Sequence, residues 1–558
     1  MSRNESSLFQ HGAARLLLVL ALGLAPLCAQ TPFEAWRDPL VFPGSGDIVR
    51  AQCDALGNVY VCSGTLTVGF FNTSVHWFQV AKYDAAGNRL WTFDYRPTGG
   101  FAERVSWLTV DSQGNVIATG YAQQTQASLK DVATIKLDPD GNVVWIKRFN
   151  GGVPVGNRGH RVATDANDDV YVLGTGGGFG GVVQVFKLDA GTGSMLWSQG
   201  WTPPGSASFP INARALAVTP GGNVAVTGAI NSLSMFLRSY DATGAPQFGF
   251  VDTSWVTGGL DVVHDSVGNW LVSGAGLLAG TAKGLVAKYG PTGNLLWKSG
   301  FNSNVGGSTF WDTLSRLEVD PADDGVAAVG SASGIDWAIG RFDAAGNLQW
   351  NTTFDGFGLQ TENATDLEIG PGGAIYVIGG AGGVAPSGGP FPSLDAVLVA
   401  YDSGGQQLWV HGVQNSGIPP TLARGRHGLY FSTSSDLVHV IEGIDVVVHQ
   451  PGGPGSPVFV DHQGLTPGAV YHSLLSLEPC PGGPGTGPYL GLCTQNPQGL
   501  LTQFQAPLGT PVLHFLASAP TIRWGPFPAL PVVIETVAFQ LSPLGLVEVS
   551  PVDHVTIN

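Results

Sequence analysis

Charge is scarce in this chain of 558 residues: 12% are Asp, Glu, Lys or Arg, against 43% hydrophobic residues. A disordered chain shows the reverse balance, so a large buried core is predicted. Positive charge is scarcer still, with 25 Lys and Arg against 41 Asp and Glu and a net charge of −16. That excess repels phosphate backbones and argues against nucleic-acid binding. There is no basic run or basic amphipathic segment to hold a membrane surface. Long apolar runs are missing too. The longest, Leu16 to Leu24, is too short to span a bilayer comfortably, so no transmembrane segment is expected.

Cysteine is also sparse. There are five, with no adjacent pair, no CxxC and no haem-attachment CxxCH, and no histidine stands at metal-finger spacing. Zinc is therefore not expected. Four cysteines lie beyond residue 29, in two local pairs. An even number in such pairs suits an oxidising compartment. Cys480 and Cys493 are expected to close the glycine-rich loop 481–488, and Cys53 and Cys62 to bridge across a hairpin.

What is present begins with a targeting pattern. Arg15, the apolar run and the small residues at Leu27-Cys28-Ala29 before Gln30 follow the order of a secretory signal peptide, assigned to residues 1–29. Ala25-Pro26-Leu27 fits a lipidation box poorly. A secreted or cell-envelope location, extracellular or periplasmic, is expected.

Two phrases then recur about every fifty residues. The first is an aspartate, a glycine turn and a β-branched strand. It reads Asp54-Ala-Leu-Gly57-Asn58-Val-Tyr-Val and Asp111-Ser-Gln-Gly114-Asn115-Val-Ile-Ala, and returns near Asp165, Gly222-Asn223, Asp265, Asp320, Gly372-Gly373 and His427-Gly428. The second is an apolar strand, an aspartate, a glycine turn and a tryptophan. It pairs Asp84 with Trp91, Asp138 with Trp145, Asp343 with Trp350 and Asp402 with Trp409. Asp189 precedes Trp197 with one extra residue, Asp241 precedes Phe248, and Gly290 replaces the aspartate before Trp297.

Glycine-asparagine between apolar runs marks a tight hairpin, because such turns need positive φ. The aspartate caps its own turn. Each copy supplies two hairpins, and four-stranded units at this period are propeller blades. The first phrase has eight copies and the second seven. Trp36 stands alone before the first hairpin, while the last copy lacks a tryptophan. An N-terminal strand completing the final blade accounts for both. The expectation is an all-β chain: a propeller of about eight blades over residues 30–446, with seven as the fallback. A Pro/Gly linker at 447–457 and a small β-sandwich at 458–558 follow. Short apolar alternations at 469–477, 512–517, 532–539 and 546–549 supply the sandwich strands, and almost no helix is expected.

The phrase Lys82-Tyr83-Asp84-Ala-Ala-Gly87-Asn88-Arg-Leu-Trp91 resembles bacterial secreted β-propeller-repeat proteins. Asp189-Ala-Gly-Thr192-Gly193-Ser-Met-Leu-Trp197 is similar to the tryptophan-docking motif of eight-bladed quinoprotein-like propellers, some of them non-enzymatic scaffolds of outer-membrane assembly. The tail, with Pro484-Gly-Thr-Gly-Pro-Tyr-Leu-Gly-Leu492, is similar to C-terminal modules on exported proteins of planctomycete-like bacteria. The propeller resemblance covers roughly residues 33–446 and speaks to fold rather than function. It implies that Trp36 and the Asp and Trp positions of the second phrase dock blade to blade.

A cofactor-dependent oxidoreductase is the enzymatic alternative, but the adjacent cysteines of quinoprotein dehydrogenases are missing, and no cofactor is expected. Asp165-Ala-Asn167-Asp168-Asp169 and Asp138-Pro-Asp140-Gly141-Asn142 gather oxygens of the kind calcium takes. Both fall where the repeat needs a turn, so no metal is assigned. His160, His264, His411, His427 and His439 are scattered, with no Gly-x-Ser-x-Gly elbow. Glu362, Asp366 and Glu368 read as solvated loop residues. No catalytic residue is assigned. The remaining reading is an exported, non-enzymatic binding or scaffolding module for an unidentified protein or glycan at the cell surface. The off-register Trp77, Trp107, Trp201, Trp255, Trp311 and Trp337 are the candidate contact aromatics.

Overall fold

The computed structural model describes residues 32–39, 45–68, 74–95, 102–123, 130–149, 157–176, 181–303, 312–355, 362–382, 394–413, 421–433, 436–442, 445–451, 455–465, 469–480, 490, 492–519, 521–529, 531–542, 545–550 and 553–557. The N-terminal targeting pattern lies outside them.

Most of the described chain is strand. The second and third strands of each repeat are apolar on both faces, as in Val116–Gln123, where every side chain before Gln123 is buried. Such a strand has protein on both sides, and here that protein is the neighbouring sheets. Fourth strands such as Arg89–Tyr95 alternate between exposed and half-buried, as an outer strand must.

Eight four-stranded antiparallel sheets result. Blade one runs from Ser45–Cys53 to Arg89–Tyr95, and blade two from Ala102–Val110 to Val143–Phe149. Blade three runs from Arg158–Thr164 to Met195–Trp201, and blade four from Ile211–Val218 to Pro246–Asp252. Blade five runs from Trp255–His264 to Leu295–Phe301, and blade six from Thr313–Val319 to Leu348–Phe354. Blade seven runs from Asn363–Ile369 to Gln407–Val413. Blade eight takes three strands from 422–441 and its fourth from Phe33–Pro39, which sets Trp36 opposite His439. Each first strand packs on the sheet before it, and Ser45–Cys53 packs on Leu422–Gly425, so the ring closes.

The topology defines two faces. The turns joining strands one to two and three to four lie at one end, here the turn face. The connections from two to three, and from blade to blade, lie at the other, the loop face.

The C-terminal region forms two further sheets. One holds Asp445–His449, Val458–Gln463 and Ile522–Phe527. The other centres on Val470–Ser476 and Val533–Ser542, flanked by His514–Leu516, Gly545–Val549 and Asp553–Thr556. Val446, Val460, Tyr471, Phe515 and Ala538 pack in one buried cluster between them. One helix, Pro497–Phe504, starts at Asn496, whose side chain accepts the Gly499 N–H. Residues 447–449 of the expected linker belong to the strand Asp445–His449, which pairs with Val458–Gln463.

Cys480 and Cys493 are bonded, with their Cα atoms 5.1 Å apart. Cys53 and Cys62 are not; both are free thiols. Cys53 faces Val59 across the hairpin while Cys62 faces Arg50, three residues back along the strand. An odd separation puts the two side chains on opposite faces of the sheet, out of bonding reach. Burial pushes the Cys62 thiol up to about 12.

Candidate functional site

On the turn face, each second-phrase aspartate folds its own turn. Asp84 accepts the Asn88 backbone N–H at 2.8 Å, Asp138 that of Asn142 at 2.8 Å, and Asp241 that of Ala245 at 2.9 Å. Asp343 and Asp402 do the same for Asn347 and Gln406, and Asp189 holds the Thr192 N–H in its longer turn. The tryptophan of the preceding blade lies on that turn. Trp36 Nε1 donates to Ala85 O at 2.9 Å, Trp91 to Pro139 O at 2.9 Å, and Trp145 to Ala190 O at 3.2 Å. Trp197, Trp297 and Trp350 reach Ala242, Ala344 and Ser403. The ring covers the turn glycine so closely that a Cβ at Gly141 would stand 2.8 Å from Trp91. Only glycine serves there, since it also sits at φ +86°. Phe248 covers Gly293 without a donor. Trp409 donates to the Glu442 carboxylate at 2.7 Å instead of a turn carbonyl.

A lysine two residues before the first residue of the turn, an aspartate in all but Gly290 of blade five, belongs to the same device. Lys82, Lys136 and Lys288 donate to Pro139 O, Ala190 O and Ala344 O, the carbonyls the tryptophans use. Lys136 also pairs with Asp111 at 2.8 Å and Lys288 with Asp265 at 2.8 Å, tying both turns of one blade together. Lys187 sits 3.1 Å from both Asp165 and Asp169, so a cation already occupies the oxygens of that acidic turn. The lysine recurs in the sequence at fixed spacing, a signal that marks its role.

At the axis, side chains from blades far apart in sequence meet. Each first strand of blades one to seven carries a bulge at the same level, after which come Arg50, Trp107, Arg161, Ala215, Asp261, Arg316 and Asp366. Arg161, Arg50 and Arg316 lie 3.7, 4.5 and 5.7 Å from the Trp107 ring centroid. Arg50 pairs with Asp366 at 2.5 Å. Asp261 accepts the Leu317 N–H, Glu318 that of Ile369, and Asp366 that of Leu422, each from the next blade. Burial, then the nearby Arg316, pushes Arg161 down to about 9. Burial also raises Glu318 to about 7 and pushes Glu368 well up. Charged side chains at the axis thus lock neighbouring blades. Asp366 and Glu368 are part of this layer and Glu362 is buried, which corrects their reading as solvated loop residues. They look like loop residues in sequence because only the closed ring brings Arg50 of blade one to them.

Trp107 is half-buried in this layer among the three arginines. Trp255 and Trp337 are fully buried core, not contact aromatics. Trp201 is half-buried under Arg238. The side chain of Trp77 and the whole of Trp311 lie outside the described residues. The histidines do not converge on one centre: His160 meets Thr175 Oγ1 at 2.7 Å, and His264 meets its neighbour's carbonyl.

The C-terminal domain sits against the turn face. His427, in the last propeller hairpin, lies 3.1 Å from Asp445 and 3.3 Å from Asp553. Burial opposes its charge, but the two carboxylates outweigh it and raise it to about 10. His449 reaches Asn88 at 3.0 Å, and Asp461 at 3.0 Å.

The loop face has its own exposed apolar side chains, as the turn face does at Leu56 and Val267. Phe209, Leu233, Leu277 and Ile335 stand on or beside its connections over blades four to six, 39–51% exposed. Three of the hairpins there hold non-glycine residues at positive φ: Asn231 and Ser232, Ala279, and Ser333. Such backbone costs energy and gathers at sites of function.

No protein-family model matches the chain. An uncharacterized WD repeat-containing protein of Acanthamoeba polyphaga mimivirus is 29% identical over 132 residues, a stretch covering 20% of this chain and 9% of that protein. Among solved structures, the Dos1 propeller is 13% identical with a TM-score of 0.48, covering 74% of this chain and 96% of that one. Sqt1 from Chaetomium thermophilum is 13% identical at 0.47, covering 74% and 100%. Quinohemoprotein alcohol dehydrogenase from Comamonas testosteroni is 12% identical at 0.44, covering 82% and 78%. The chain is a β-propeller repeat protein with a C-terminal β-sandwich, an architecture that rests on its own strand pairing and cross-ring contacts.

Proposed function

We propose that this chain is an exported, non-enzymatic scaffold that holds a protein partner on the loop face of its propeller, over blades four to six. The observation that carries the reading is the pairing of exposed apolar side chains with strained hairpins on that face. A cluster of exposed apolar residues on a rigid frame is the usual form of a protein-binding surface. Two features support it further. On the turn face the tryptophan-bearing turns are engaged in blade docking, and the C-terminal domain meets blades eight and one through His427 and Asn88. The signal-peptide pattern at 1–29 and the Cys480–Cys493 bond suit an oxidising destination outside the cytosol.

The test is a cross-linking pull-down from envelope and extracellular material of the source organism, with mature protein and the triple variant Leu233→Asp, Leu277→Asp, Ile335→Asp as baits. Loss of a specific protein with the triple variant, at unchanged stability, supports the reading. Equal capture by both baits, or capture of a glycan alone, contradicts it.

A further inference from the structure

The C-terminal sandwich has a cavity between its two sheets that its own side chains leave unfilled, of about 340 Å³. Val448, Val458 and Val460 form one wall, Leu475 and Ile534 the facing wall, and Ile557 lies on the lining as well. Leu477 and Phe527 also line it and are partly exposed. The lining has almost no polar surface. Ordinary ligand pockets place a few polar groups to orient what they hold. A wall without them recognises hydrocarbon and nothing else.

The size narrows the occupant. An apolar cavity of ~150 Å³ stays dry and holds the six carbons of benzene, so by proportion this one holds roughly a dozen carbons. The sheets of a sandwich lie only ~10 Å apart, backbone to backbone, which leaves a slot for one narrow chain rather than a fused ring system. One lining residue is also strained. Val512 sits at φ 68°, a region that β-branched residues rarely enter. The sandwich therefore holds an unfavourable backbone at this wall and leaves the adjoining space empty of its own atoms. Apolar walls that face space open to water on one side gain dehydration and dispersion contacts when a hydrocarbon chain enters.

We propose that the C-terminal domain binds a single unbranched aliphatic chain of about a dozen carbons in this cavity. No lysine or arginine lines it, so the head group contributes little and a neutral chain binds as well as an acid. Such a chain can come from a free amphiphile or from a bilayer lipid.

The experiment titrates the mature, full-length protein with 1-hexanol, 1-octanol, 1-decanol, 1-dodecanol, 1-tetradecanol and dodecanoate, read by calorimetry and native mass spectrometry. One chain per protein is expected, with affinity rising about threefold to fourfold per methylene and levelling off near twelve carbons. Dodecanol and dodecanoate should agree within about threefold, with a negative heat-capacity change. Val460→Phe and Ile534→Phe fill the cavity and should each abolish uptake while the thermal transition is retained. Leu477→Ser, at an exposed wall position, provides a variant that keeps the core intact and should weaken binding several-fold. Sedimentation with phosphatidylcholine vesicles separates the sources. Pelleting that Val460→Phe removes assigns the chain to a bilayer lipid, and its absence assigns it to a free amphiphile. No saturable uptake by the wild-type protein, affinity independent of chain length, or uptake unchanged in both filled variants overturns the proposal.

Discussion

The two faces of the propeller are built by opposite rules. On the turn face nearly every hairpin is a five- or six-residue turn, from 54–58 in blade one to 402–406 in blade seven. The turns between strands three and four mostly carry a capping aspartate and an indole from the blade before. On the loop face the described connections differ widely, from two residues at 279–280 to nine at 202–210. One face repeats because every blade must solve the same docking problem. The other varies in length and sequence, although some of its connections are tied to the next blade, as Ile335 O is by the Glu362 N–H. Variation on a rigid frame is where binding specificity can be placed.

The comparison can be broken most forcefully at the turn face. His427→Ala leaves Asp445 and Asp553 buried without their cation and should cost about 3–5 kcal/mol, measured by chemical denaturation. His427 is raised from an ordinary 6.5 to about 10 in the folded protein. Its stabilising contribution is therefore complete below about pH 6.5 and is lost as pH rises towards 10. The wild-type and variant stabilities should converge over that window.

Trp197→Ala removes both the ring over Gly244 and the hydrogen bond to Ala242 O. Trp197 is half-buried, so a loss of about 2–3 kcal/mol is expected, below that of a fully buried aromatic. A loss below about 1 kcal/mol in an unfolding titration would mean the indoles are ornament rather than staples.

Glu318→Gln tests the axis. Burial raises Glu318 from 4.5 to about 7, so its charged form is disfavoured in the fold and the cost appears as pH rises from 4.5 through 7. The amide oxygen can still accept the Ile369 N–H. The variant should be more stable than wild type by about 1–3 kcal/mol above pH 7 and nearly equal to it at pH 4.

Phe248→Trp sharpens the comparison in the other direction. It supplies the missing donor between blades four and five, where the corresponding turn carbonyl is that of Pro291. A gain of about 1 kcal/mol is expected, seen as a higher denaturation midpoint. At the small end, Leu233→Asp, Leu277→Asp and Ile335→Asp should each change stability by no more than about 0.5 kcal/mol, because no blade docks on those side chains.

How much of this was legible in the sequence follows the same division. The turn face could be read directly, since Asp84, Gly87 and Trp91 do their work within a few residues and repeat. Even the closing strand around Trp36 left a trace, as an unpaired tryptophan at one end and a missing one at the other. The axis left none. Arg50 and Asp366 are 316 residues apart, and neither belongs to a repeating phrase. Cys53 and Cys62 misled because spacing alone does not give the face on which a side chain stands. The helix at Pro497–Phe504 departs from the expectation of almost no helix, although Asn496-Pro497 pairs a capping residue with proline at the first helical position. The loop face offered only single exposed apolar residues, which mean nothing until the ring puts Leu233, Leu277 and Ile335 on one side.

The most direct test is hydrogen exchange on the mature protein with and without its captured partner. The account predicts new protection at 231–235, 277–281 and 333–337, and none at the tryptophan-bearing turns 138–145, 189–197 and 241–248. Protection at those turns, with the loop-face hairpins unchanged, would contradict it.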